Sequence, residues 1–133
     1  MIKANTIIEV VGSPEEHVND VLGQLLEKIT QKKEYILHTK KVFKAKKMEK
    51  QPLWSAFAEI SISYKDLETL TGFCFDFMPS SIEIIEPEEL AMKQTTISNV
   101  VNDLLARLHQ YDMILKNIHA ENVLLKRKME KKD

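Results

Sequence analysis

A chain of 133 residues is long enough for one domain built on one hydrophobic core. Hydrophobic residues make up 44% of it and charged residues 29%, the balance of a globular rather than a disordered protein. A formal net charge of -1 removes any global pull towards nucleic acid or membrane, so such a preference has to come from a local patch. The single cysteine, Cys74, excludes a disulfide within the chain. It sits in the apolar run Gly72-Phe73-Cys74-Phe75 and is expected to be a buried thiol. The opening Met1-Ile2-Lys3-Ala4-Asn5 lacks the apolar stretch of a signal peptide, and no run is long enough to span a bilayer. The expected location is cytoplasmic. With only 3 glycines, phosphate-cradling glycine loops are nearly excluded.

In chain order, Asn5 to Val11 is rich in β-branched residues and predicts a strand ended by Gly12. Ser13-Pro14-Glu15-Glu16 predicts a helix start, with Ser13 as cap, Pro14 at the first helical position and Glu16 closing a capping box. Val18, Val21, Leu22, Leu25, Leu26 and Ile29 then form one apolar stripe. Glu34 to Phe43 reads as a second strand that runs into a mobile, lysine-rich hairpin tip at Lys44 to Gln51. From Leu53 to Tyr64 the apolar Trp54, Ala56, Ala58, Ile60 and Ile62 alternate with serines and Glu59, the period of a half-buried strand. Phe57 breaks the alternation. Asp66 can cap a short helix containing Leu67, Leu70, Phe73 and Cys74. Pro79-Ser80-Ser81 reads as a turn, and Ser81 to Ile85 as a fourth strand ended by Pro87. The order β-α-β-β-α-β predicts an α+β fold with a ferredoxin-like head, an antiparallel sheet with two helices on one face. The head is expected over residues 1–92.

Residues 93–133 are expected to form a second unit, one long helix from about Thr95 to Lys128 with neither glycine nor proline. At 1.5 Å per residue that is roughly 50 Å. A small domain is only about 30 Å across, so such a helix should overhang its own head. With Val101 as position a of a heptad, Leu104 is d, Leu108 a, Tyr111 d, Leu115 a, Ile118 d, Asn122 a and Leu125 d. This is the repeat of a coiled-coil seam. A lone seam asparagine such as Asn122 pairs with its mate across a parallel two-stranded coil and sets the register. Val100, Leu105 and Ile114 widen the stripe, which suits either packing on the sheet's open face or a bundle of more than two helices. Lys126-Arg127-Lys128 complements the negative end of the helix dipole.

Catalytic signals are thin. His17, His38, His109 and His119 are scattered without partners at ligand spacing and read as solvent-facing helix residues. Cys74 lacks a nucleophile signature. Glu88 and Glu89 read as first-turn helix acids rather than an acid–base pair. No catalytic, cofactor or metal site is predicted. The sharpest charge feature is the lysine run. Lys40, Lys41, Lys44, Lys46 and Lys47 are candidate contacts to RNA or DNA phosphates, or lysines that keep an edge strand from pairing with other chains.

The segment Phe75-Asp76-Phe77-Met78-Pro79-Ser80-Ser81-Ile82-Glu83-Ile84-Ile85-Glu86-Pro87-Glu88-Glu89-Leu90 leads on to a helix that carries Tyr111. It resembles the end of the ferredoxin-like C-terminal extension domain of WYL-type bacterial transcription regulators, where a short helix leads to a strand, a Pro-x-x-Leu element and a helix ending near a tyrosine. Pro87, Leu90 and Tyr111 stand at those positions. Ala91 and Met92 stand where that pattern has an arginine, and neither a helix-turn-helix nor a WYL segment is present. The resemblance implies a regulatory or oligomerisation module without the DNA-binding domain. The leading expectation is a non-enzymatic protein that binds a second copy of itself, or another protein, through its C-terminal helix. The alternatives are a nucleic-acid-binding accessory protein using the lysine hairpin 32–50, and a small-ligand sensor.

Overall fold

The computed structural model describes residues 1–131. In chain order the elements are β1 (Ile2–Gly12), α1 (Glu15–Gln31), β2 (Tyr35–Lys47), β3 (Trp54–Tyr64), α2 (Leu67–Phe77), β4 (Ser81–Glu86) and α3 (Gln94–Glu130). They divide into two compact units, a mixed α+β head of Met1–Ala91 and a second unit beginning at Met92 that contains α3.

The head is built on one four-stranded antiparallel sheet in the order β2-β3-β1-β4. The central pair runs in unbroken register from Ile2 opposite Tyr64 to Gly12 opposite Trp54. Side chains alternate along a strand, so this register gathers Ala4, Thr6 and Ile8 with Ala56, Ala58, Ile60 and Ile62 on one buried face. Val18, Leu22, Leu26 and Ile29 of α1, with Leu70 and Phe73 of α2, complete one core with that face. The expected α1 stripe thus supplies the core, while Val21 and Leu25 stay half-buried. At one end of the core Tyr35, Tyr64, Phe73 and Phe77 pack mostly edge to face, with centroids 4.9–6.5 Å apart. The buried Tyr64 hydroxyl lies 3.3 Å from Thr6 Oγ1 and satisfies it.

Three local expectations need correction. Ser13 does not cap α1. Pro14 holds the cap position with an extended backbone, no side chain closes the cap, and the Pro14 carbonyl accepts from Val18 N–H at 3.2 Å. The predicted mobile tip at Lys44 to Gln51 begins later, because β2 continues as strand through Lys47. A strand needs only backbone partners, and β3 provides them, with Lys46 opposite Ser55 and Lys47 opposite Trp54. Two register shifts, at Leu37/Thr39 and Phe43/Lys46, bend this edge strand. At the second, Asn19 Oδ1 of α1 accepts the Ala45 N–H at 2.9 Å. Glu88 and Glu89 lie in a bend ahead of α3, whose first turn carries no acid. Asp66 does cap α2 as expected, its carboxylate accepting from Thr69 N–H at 2.8 Å and from the Thr69 hydroxyl at 2.7 Å.

Candidate functional site

α3 is 37 residues long, about 55 Å at 1.5 Å per residue. Leucine, a strong helix former, is its commonest residue, it has no internal glycine or proline, and it carries Arg127 and Lys128 in its last turn. Two exposed ion pairs brace it at i, i+4 spacing, Asp103 to Arg107 at 3.3 Å and Asp112 to Lys116 at 2.8 Å. None of its residues is buried. The seam residues Val101, Leu104, Leu108, Tyr111, Leu115, Ile118 and Leu125 are exposed, from 41% for Tyr111 to 66% for Leu115. Asn122, in the same row, is exposed too. The helix spacing brings all eight onto one stripe, with Leu105 and Ile114, also exposed, on its flanks.

The candidate nucleic-acid lysines are all exposed on the edge strand β2, but they do not form one patch. Lys40 pairs with Ile60 and so shares the helix-covered face, whereas Lys41 pairs with Glu59 on the opposite, outer face. Lys46 follows Ser55 to the outer face and Lys47 follows Trp54 to the helix side. Lys40 and Lys44 border a groove of about 860 Å³ between α1 and β2, where Glu15 and Glu27 face them. The outer face also carries Glu9, Glu59 and Glu83, so its charge is mixed.

That outer face holds a feature the residue pattern did not disclose. Phe57, the break in the β3 alternation, stacks on Phe43 with ring centroids 4.4 Å apart, and Lys41 Nζ lies 5.0 Å from the Phe43 centroid. The signal available in advance was Phe57 itself, a large apolar residue on the polar side of an alternating strand. Beside it a shallow hollow of about 500 Å³ is lined by Asn5, Thr39, Lys41, Glu59, Ser61 and Glu83. His38 stands on β2 rather than on a helix, with Nε2 2.6 Å from Ser63 Oγ.

Cys74 is half-buried against the core rather than fully enclosed, and burial pushes its thiol pKa up, away from nucleophilic thiolate. Burial likewise pushes the Tyr64 phenol up to about 12. Among the described residues no group of three or more His, Cys, Asp or Glu side chains is placed to hold a metal ion, and no helix is long and apolar enough to cross a membrane.

In comparisons with known proteins, the model of the MJ0538 family matches residues 3–132. No curated protein and no solved structure matches.

Proposed function

The chain belongs to the MJ0538 family, and we propose that it is a non-enzymatic interaction protein that self-associates through α3 and presents its head as a regulatory surface. One observation carries this reading: an apolar stripe runs along α3 from Ile97 to Met129, and every Leu and Ile in it is exposed. Monomers rarely expose contiguous apolar surface of that extent, and such a stripe marks an interaction site. Burying one leucine side chain contributes about 1.5–3 kcal/mol, so several heptads sealed against a second copy outweigh the entropy cost of association. The heptad phase makes the assembly a coiled coil, and a homodimer is its simplest form.

The head is read as ferredoxin-like. The antiparallel order β2-β3-β1-β4, with a helix following β1 and another following β3, supports that. The superfold hosts many functions, so the role rests on the helix and not on the fold. A cytoplasmic location fits the half-buried, unpaired thiol of Cys74. The likeness of residues 75–90 to the WYL-type extension supports a regulatory rather than catalytic role.

A second reading places nucleic acid on the lysine edge of β2. It is favoured by Lys41 beside the Phe43–Phe57 stack, and weakened by the acids that share that face.

Light scattering of the full chain and of a chain stopped after Gln110 tests the main reading. The full chain should have twice the 15.4 kDa mass of one copy, and the shortened chain the mass of one. A monomeric full chain overturns it.

A further inference from the structure

Self-association through α3 leaves open which way the two helices run. Resting on that reading, we infer that they pair parallel and in register, with Arg107 against the partner's Asp112, Glu121 against the partner's Lys126, and Asn122 against the partner's Asn122. The residues that flank the seam favour this arrangement. With Val101 at a, position g holds Val100, Arg107, Ile114 and Glu121, and position e holds Leu105, Asp112, His119 and Lys126. In a parallel coil each g residue meets the e residue five positions further along the other helix, and these contacts set orientation. Arg107 then meets the partner's Asp112, and Glu121 meets the partner's Lys126. Symmetry makes each pair twice. Val100 meets the partner's Leu105, both apolar, and Ile114 meets the partner's His119. No like charges face each other.

Antiparallel pairing sets g against g and e against e, and position a against position d. The register that puts Arg107 opposite the partner's Glu121 also puts Asp112 opposite the partner's Asp112. It buries Asn122 against the partner's Leu104, where its amide has no mate. One heptad to either side, Asn122 faces the partner's Ile97 or Tyr111, and the charged flanks lose their opposite-sign partners. The ion pairs within α3 are compatible with the parallel arrangement. Within the helix Arg107 Nε lies 3.3 Å from Asp103, and the carboxylate of Asp112, held by Lys116, has further acceptor capacity. The apolar flanks at Val100, Leu105 and Ile114 thicken the seam, and the charged flanks at Arg107, Asp112, Glu121 and Lys126 specify it. A parallel coil brings the two helix starts at Gln94 together, so two heads are tethered at one end and act as a bivalent unit.

The test is a charge exchange in the full chain. Glu121→Lys alone and Lys126→Glu alone should each weaken the dimer by about tenfold, since either turns two attractive contacts repulsive. The double variant should return to within a few-fold of the original. In an antiparallel coil Glu121 does not meet Lys126, and the double variant stays as weak as the worse single one; that result overturns the parallel arrangement. A second measurement uses Cys74→Ser with Leu115→Cys, which places the two new thiols opposite each other only in the parallel register. Under mild oxidation this chain should form an interchain disulfide in high yield. A dimer by light scattering that neither responds to the exchange nor cross-links overturns the orientation and leaves self-association standing. A monomer at every concentration overturns self-association itself.

Discussion

Asp66 does at the start of α2 what Ser13 was expected to do at the start of α1. Its backbone is extended and its carboxylate accepts both the N–H and the hydroxyl of Thr69. Those two hydrogen bonds, the side-chain one first, hold its pKa below the ordinary aspartate value. Asp66→Ala should cost about 1 kcal/mol of stability, measured by urea unfolding at neutral pH. A lowered folded-state pKa means that the stabilisation is present above the ordinary aspartate value and is lost as pH falls through the folded one, so the difference between variant and parent should shrink in acid. Tyr64 behaves in the opposite sense. Its neutral phenol is buried and its pKa is pushed up to about 12. The stability it contributes is complete below the unfolded value of about 10 and is lost as pH rises towards 12. Tyr64→Phe leaves the Thr6 hydroxyl in the core without this partner, which should cost about 1–2 kcal/mol at neutral pH. It should also flatten the alkaline fall in stability, read from thermal unfolding across that range.

Elements were legible where one periodic signal dominated. The α1 stripe at Val18, Leu22, Leu26 and Ile29, the β3 alternation and the unbroken run of α3 each carry a period that a single environment explains. The end of β2 was not legible. Lys44, Lys46 and Lys47 look like loop chemistry, yet they continue the strand because β3 supplies the backbone partners and the edge leaves their ammonium groups in water. The two register shifts were equally hidden, since a bulge is decided by the partner strand and, at Ala45, by Asn19 of α1. At this scale α3 yields the most direct prediction. Leu115→Asp places a charge in the middle of the seam. It should abolish the proposed dimer in light scattering while the far-ultraviolet and near-ultraviolet circular dichroism of the head persist. A dimer of unchanged affinity would remove Leu115 from the interface.

For the molecule as a whole, the proposed interaction is decided by whether the head or the helix carries it. The whole chain has a net charge of -1 and so no global pull to a polyanion, and the β2 lysines are divided between two faces, the outer one also carrying Glu9, Glu59 and Glu83. The full chain should therefore pass through an RNA or DNA column at low salt. Retention that falls steeply with salt, and that vanishes when Lys44, Lys46 and Lys47 are changed to Glu, would move the function to the β2 edge.

The order of elements, the α1 core stripe, the Asp66 cap and the heptad row of α3 follow from spacing along the chain, because helix and strand periods and cap chemistry are local properties. The placement of strands side by side, the division of the lysines between two faces, the stack of Phe43 on Phe57 and the partial exposure of Cys74 follow from which strand pairs with which and in what register. Pairing joins residues far apart in sequence, such as Thr6 and Tyr64, and a shift of one residue would turn every side chain to the other face. That is why the candidate contacts of the head needed the fold, whereas the heptad row of α3, repeating along one helix, could be written down from the residues alone.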